Sequence, residues 1–235
     1  MAHSTPANSR ALAAAQKSQV FIYNGARLEP WVDSFVSDYS HTMVKASDHI
    51  FVQKITERSS QTDDPHFWLD PVLAEQIVLN IRNGLRAADP VHSEAYTRNA
   101  AAYIEQLQAL DADFRSGLAT CQTHTFVTSH AAFGYLAQRY GLHMVAIAGV
   151  SPDEEPSPAT IAGISNLVTQ QGVRYIFFES LVSPRLADTI ASETGAAPLV
   201  LDPLEGLRES DQKQGKNYVS VQRQNLGSLR TALAC

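Results

Sequence analysis

Hydrophobic positions along the chain alternate between short continuous runs and helical stripes, and their order predicts the architecture. In the C-terminal half, residues 123–129 (THTFVTS), rich in β-branched and aromatic side chains, predict a strand. Residues 131–140 predict a helix closed by Gly141, and 143–147 a second strand. Ser157 reads as an N-cap with Pro158 at the first helical position. Ile161, Ile164, Leu167 and Val168 follow at helical spacing, and Gly172 stops the run. Residues 174–178 (RYIFF) predict a third strand, Ser183 and Pro184 open a helix that Gly195 closes, 198–201 predict a fourth strand, and 217–233 the last helix. Strands alternating with helices imply an α/β fold whose parallel sheet is flanked by helices on both faces.

The N-terminal half is sparser. Residues 19–23 (QVFIY) predict a buried strand ending at Asn24 and Gly25, 29–36 a short helix, and 42–46 a second strand. Asp70 and Pro71 open a helix with Val72, Leu73, Ile77, Ile81 and Leu85 on one face, ending near Asp89 and Pro90. From 91 to 118, Tyr96, Ala100, Tyr103, Leu107, Leu110, Phe114 and Leu118 recur every three or four positions. A helix of that length spans roughly 40 Å, which suits a connection between two lobes or a long cover on one sheet.

Composition narrows the class. The 235 residues carry 18 Lys and Arg against 24 Asp and Glu, a net charge of −6, which speaks against a nucleic-acid partner. No apolar run approaches the roughly 20 residues of a membrane span, and the opening MAHSTPANSR has no apolar core of a secretory signal. Two Cys exclude a cysteine-rich zinc module, whereas eight His leave a His and carboxylate site open.

In an open parallel sheet, ligands bind beyond the carboxyl ends of the strands. His130 follows THTFVTS, Glu179 follows RYIFF and Asp202 follows PLVL, so three ionisable groups are expected on one rim. In the N-terminal half His66 lies in DDPHFWLDP between two Asp-Pro pairs. Each proline restrains itself and the residue before it. This His reads either as a metal ligand with a fixed direction or as a hydrogen-bonded residue of a helix-entry loop. Neutral imidazole is a good zinc ligand and carboxylate an acceptable one.

The segments NGARLEPW (24–31), DPHFWLDP (64–71), TSHAAFGYLAQRYGL (128–142), GVSPDEEPSP (149–158), FFESLVSP (177–184) and LVLDPLEGL (199–207) occur in that order. Together they resemble the metal-receptor branch of ABC-transporter solute-binding proteins, the zinc type in particular, over nearly the whole chain. The resemblance implies two α/β lobes joined by a long helix, with the metal in the interlobe cleft. The expected division is an N-terminal lobe at 1–90, a connecting helix at 91–118 and a C-terminal lobe at 119–235. The implied metal ligands are His3, His66, His130 and Asp202, and Glu179 is implied beside the ligands rather than among them. Relatives begin with a signal peptide and a strand–helix–strand unit, so the N-terminal lobe is expected to be incomplete, with about two strands. The stretch 57–64 has no His, so a metal-gathering loop is not expected.

The implied function is extracytoplasmic: a periplasmic or membrane-associated monomer that captures Zn²⁺ and delivers it to an ABC permease, without enzymatic activity. Three imidazoles and one carboxylate suit zinc better than manganese, whose receptors tend to carry a carboxylate at the place of His130. The alternatives are a manganese receptor of the same family, a zinc hydrolase with three protein ligands and Glu179 as base, and a surface adhesin. In an extracytoplasmic protein Cys121 and Cys235 are a candidate disulfide, the alternative being two buried thiols.

Overall fold

The computed structural model describes residues 9–37, 39–57, 60–149, 157–179 and 191–235. By contact the chain divides into two units, Met1–Ala109 and Leu110–Cys235.

The first unit opens with helix α1 (Ser9–Gln16) and strand β1 (Val20–Tyr23), followed by the short helix α2 (Val32–Val36) and strand β2 (Thr42–Lys45). β1 and β2 pair in parallel, Val20 opposite Thr42 and Tyr23 opposite Lys45. Phe21 of β1 meets Phe35 of α2 with ring centroids 4.8 Å apart, and Trp31 and Tyr39 complete the aromatic cluster. Strands β3 (Lys54–Glu57) and β4 (Ser60–Asp63) form an antiparallel hairpin. KITE and SQTD carry one large apolar residue between them, so no apolar pattern marks these strands in the sequence.

Helix α3 (Pro71–Ala88) starts as its sequence predicts. Asp70 Oδ1 accepts the N–H of Val72 at 2.9 Å, and Pro71, which has no N–H to leave orphaned, takes the first helical position. α3 packs on β1 and β2. Gly84 permits that approach, since a Cβ there would lie 2.0 Å from Val44 Cγ2. Buried Asn80 on the same helix donates to the carbonyls of Ala46 and Asp48, fixing the chain as it leaves β2.

Helix α4 (Ser93–Leu118) begins one short 3-10 turn after Asp89, and the division between the units falls within it, at 109/110. It is continuous, as its stripe predicts. Among its residues in the second unit, Leu110, Phe114 and Leu118 are buried, and Phe114 stacks on Tyr140.

The second unit is built on strands β5 (Thr125–Thr128), β6 (His143–Ala146), β7 (Tyr175–Phe178) and β8 (Ala197–Val200), all parallel, in the order β6-β5-β7-β8. Helices α5 (Gly134–Arg139), α6 (Pro158–Gln171), α7 (Glu209–Lys213) and α8 (Tyr218–Leu233) accompany them. Ile164 and Val168 of α6 pack against Val127, Ile176 and Phe178 on one face of the sheet. Strand alternation sends Phe126 and Phe177 to the other face, where their rings meet edge to face. α8 starts with a reciprocal cap between Asn217 and Ser220 and touches β5 and β8. The disulfide Cys121–Cys235 ties its end to the segment before β5.

Two elements differ from expectation in ways that matter for function. α5 begins at Gly134 rather than at 131, because the preceding residues are bonded elsewhere: Ser129 N–H donates to Phe177 on β7 and Ala131 N–H to Gly149, beyond β6. α2 is confined to 32–36, because residues 25–27 are left-handed and hold the chain in a turn. The helix expected from Ser183 opens outside the described residues; its end is seen at 191–194, where Gly195 is left-handed and donates to Ala191. Among the described residues no helix is long and apolar enough to cross a membrane.

Candidate metal centre

In the first unit the site residue is His66, and its position follows from three local anchors. The chain leaves β4 at Asp63, and the next residue, Asp64, donates its N–H to Gln53 O at 2.9 Å. The carbonyl of Pro65 accepts from Asn24 Nδ2 at 3.2 Å. The His66 carbonyl then accepts the N–H of Leu69, starting the 3-10 turn Phe67–Leu69 that leads into α3. The His66 side chain is fully buried, with the ring of Trp68 5.2 Å away. Its Nδ1 lies 2.8 Å from Asp64 Oδ1.

In the second unit His130 stands two residues beyond the carboxyl end of β5, with Thr128 Oγ1 donating to its carbonyl at 2.8 Å. Its side chain is 1% exposed. Nδ1 is hydrogen-bonded to Glu179 Oε1, which also accepts from Ser129 Oγ at 2.8 Å. The other ring nitrogen, Nε2, lies 3.5 Å from Glu205 Oε1. Burial pushes the imidazolium down, but hydrogen bonds and charge from Glu179 and Glu205 outweigh it, so His130 is pushed up to about 9. Two carboxylates at the two nitrogens of one buried imidazole hold a proton in the metal-free state.

Of the rim residues expected from sequence, His130 and Glu179 are brought together. Asp202 is engaged locally. Its Oδ1 accepts the N–H of Leu204 at 2.8 Å, and its backbone exchanges two hydrogen bonds of 2.8 Å with the side chain of Asn225 on α8. Leu204 is left-handed at φ +57°. That turn carries the chain from Asp202 to Glu205, whose carboxylate is the one beside His130 Nε2. Asp202 is the first carboxylate after the strand, and Glu205 follows three residues later. The signal available was DPLEG itself, a second acid following a turn. His3 lies outside the described residues.

Residues 1–232 match the family described as zinc-uptake complex component A, periplasmic. The chain belongs to this family. It is 40% identical over 242 residues to the zinc-binding lipoprotein AdcA of Streptococcus pneumoniae TIGR4, covering 97% of this chain and 48% of that protein. It is 38% identical to the high-affinity zinc uptake system protein ZnuA of Bacillus subtilis 168, covering 94% of this chain and 74% of that protein. The chain therefore spans about half the length of the streptococcal relatives and about three quarters of the Bacillus one. Among solved structures, the Zn(II)-bound ZnuA-like domain of Streptococcus pneumoniae AdcA superimposes with a TM-score of 0.86 at 39% identity, covering 100% of this chain and 87% of that one. The mixed α/β architecture with a helix-flanked parallel sheet and a long helix is that of zinc-uptake component A proteins.

Proposed function

We propose that this chain is an extracytoplasmic zinc receptor that binds one Zn²⁺ through His66, His130 and Glu205, with His3 as fourth donor, and passes it to an ABC permease. One observation carries the reading. His130 Nε2 and Glu205 Oε1 are 3.5 Å apart and buried. Two bonds of about 2.0–2.2 Å at a tetrahedral angle hold their donor atoms about 3.3–3.6 Å apart, so the pair suits two corners of a zinc site. The ring is also correctly held for it, since Glu179 engages Nδ1 and leaves Nε2 to the metal. Asp202, the carboxylate expected among the ligands, is assigned instead to the turn that presents Glu205.

Delivery to a permease and a location outside the cytoplasm are supported by the family and by relatives described as zinc-binding lipoprotein and zinc uptake protein, and the chain is read as a monomer. Three imidazoles with one carboxylate favour zinc over manganese. The hydrolase alternative needs Glu179 as a base, but Glu179 accepts hydrogen bonds from His130 and Ser129, an orienting task. Metal analysis of the purified, untagged chain, followed by zinc and manganese titrations, tests the reading. One zinc per chain, not displaced by excess manganese, is expected. Preference for manganese, or no stoichiometric metal, would overturn it.

A further inference from the structure

Asp64 and His66 are both fully buried, with Pro65 between them. A single carboxylate oxygen, Asp64 Oδ1, accepts the backbone N–H of His66 at 3.0 Å and lies 2.8 Å from Nδ1 of the same residue. Oδ1 already accepts the backbone N–H, and the same oxygen facing Nδ1 is placed to accept a ring N–H as well. A neutral His66 then carries its proton on Nδ1 and its lone pair on Nε2. In water a neutral histidine favours the opposite tautomer.

The segment that makes this contact is tied down on both sides of the ring. Asp64 N–H donates to Gln53 O, the Pro65 carbonyl accepts from Asn24 Nδ2, and the proline ring fixes one backbone rotation. One oxygen bonded to both the backbone and the ring of the same residue restrains the rotation of the imidazole as well as its tautomer.

We propose that Asp64 is the positioning residue for zinc capture in the first unit, fixing the His66 imidazole as the Nδ1–H tautomer so that Nε2 is the nitrogen offered to the ion. This rests on the reading of His66 as a zinc ligand. Glu179 does the corresponding work for His130 in the second unit from 49 positions away in sequence. In the first unit the whole device is the tripeptide Asp64, Pro65, His66. The ligating nitrogen is chosen before the metal arrives, and an anionic acceptor on the far side of the ring raises its basicity as a ligand.

The test is two-bond ¹H–¹⁵N correlation spectroscopy of the metal-free, full-length chain with labelled histidines, at a pH where His66 is neutral, beside zinc titration of the wild type and of Asp64→Ala. The wild-type spectrum is expected to show His66 as the Nδ1–H tautomer. Asp64→Ala is expected to move it toward Nε2–H and to weaken zinc about ten- to a hundred-fold. An Nε2–H tautomer in the wild type overturns the proposal without recourse to any variant. An Asp64→Ala chain that keeps the Nδ1–H tautomer and wild-type affinity overturns it too. A wild-type chain that shows the Nδ1–H tautomer but holds no zinc refutes the zinc reading and leaves the Asp64–His66 pairing standing. One that binds zinc with an Nε2–H His66 does the reverse.

Discussion

The carboxylate of Glu29 closes over the turn that starts at Asn24: Oε1 accepts the N–H of Asn24 at 2.8 Å, and Oε2 that of Gly25 at 3.1 Å. Gly25, Ala26 and Arg27 are all left-handed, a conformation that side chains other than glycine rarely adopt, so the clamp holds a turn the chain would otherwise avoid. The same Asn24 reaches the Pro65 carbonyl beside His66. Glu29→Ala leaves two partly buried donors without their acceptor and should cost about 1–3 kcal/mol of stability. Glu29→Gln, which keeps an acceptor, should cost less. Thermal unfolding of both variants checks the order.

Close packing of α3 on β2 gives a second expectation. A Cβ at Gly84 would stand 2.0 Å from Val44 Cγ2, so Gly84→Ala should destabilise the chain by about 1–3 kcal/mol although alanine is the better helix former. Val44→Ala in the same chain should recover part of the loss. Urea unfolding of the two single variants and the double variant measures the coupling.

The proton held by His130 sets a pH dependence. With Glu179 and Glu205 pushing it up to about 9, this imidazole is expected to be charged below that pH, and a zinc ion bound at Nε2 would have to displace its proton. Apparent affinity should therefore climb with pH, about tenfold per unit from this group, up to about 9, and level off above it. An unperturbed histidine would level off near its ordinary 6.5. Glu179→Gln removes one of the charges holding the proton and should move the plateau to lower pH. Zinc titration between pH 7.5 and 9.5, in buffers of different ionisation enthalpy, reads both affinity and proton release.

The Cys121–Cys235 disulfide closes a sequence separation of 114 residues. Loop-closure entropy for such a span is worth up to about 4–5 kcal/mol. Replacing both cysteines by serine should lower the unfolding midpoint of the second unit clearly, read as a shift in its denaturant transition.

Much of this molecule is legible in the sequence, and the gaps have physical reasons. β5 and β7 are readable because β-branched and aromatic residues favour strands, and TFVT and YIFF are rich in them. α3 and α8 announce themselves by Asp70 with Pro71 and by Asn217. The β3–β4 hairpin does not, because its strands are polar and their pairing rests on backbone bonds that any residue can make. The late start of α5 is hidden in Ala131, Ala132 and Phe133, which suit a helix locally, whereas Ala131 donates to the Gly149 carbonyl beyond β6. His66, His130 and Glu179 could be found from strand ends and proline brackets. Glu205 carries a sequence signal in DPLEG, but the placement of its carboxylate beside His130 depends on a left-handed turn at Leu204, and leucine gives no sign of one.

Zinc titration of Glu205→Gln beside Asp202→Asn tests most directly which carboxylate joins His66 and His130 at the ion. Loss of zinc in Glu205→Gln beyond the ten- to hundred-fold typical of an orienting partner, with Asp202→Asn within about tenfold of wild type, is the predicted result. Wild-type affinity in Glu205→Gln, or a greater loss in Asp202→Asn, would contradict it.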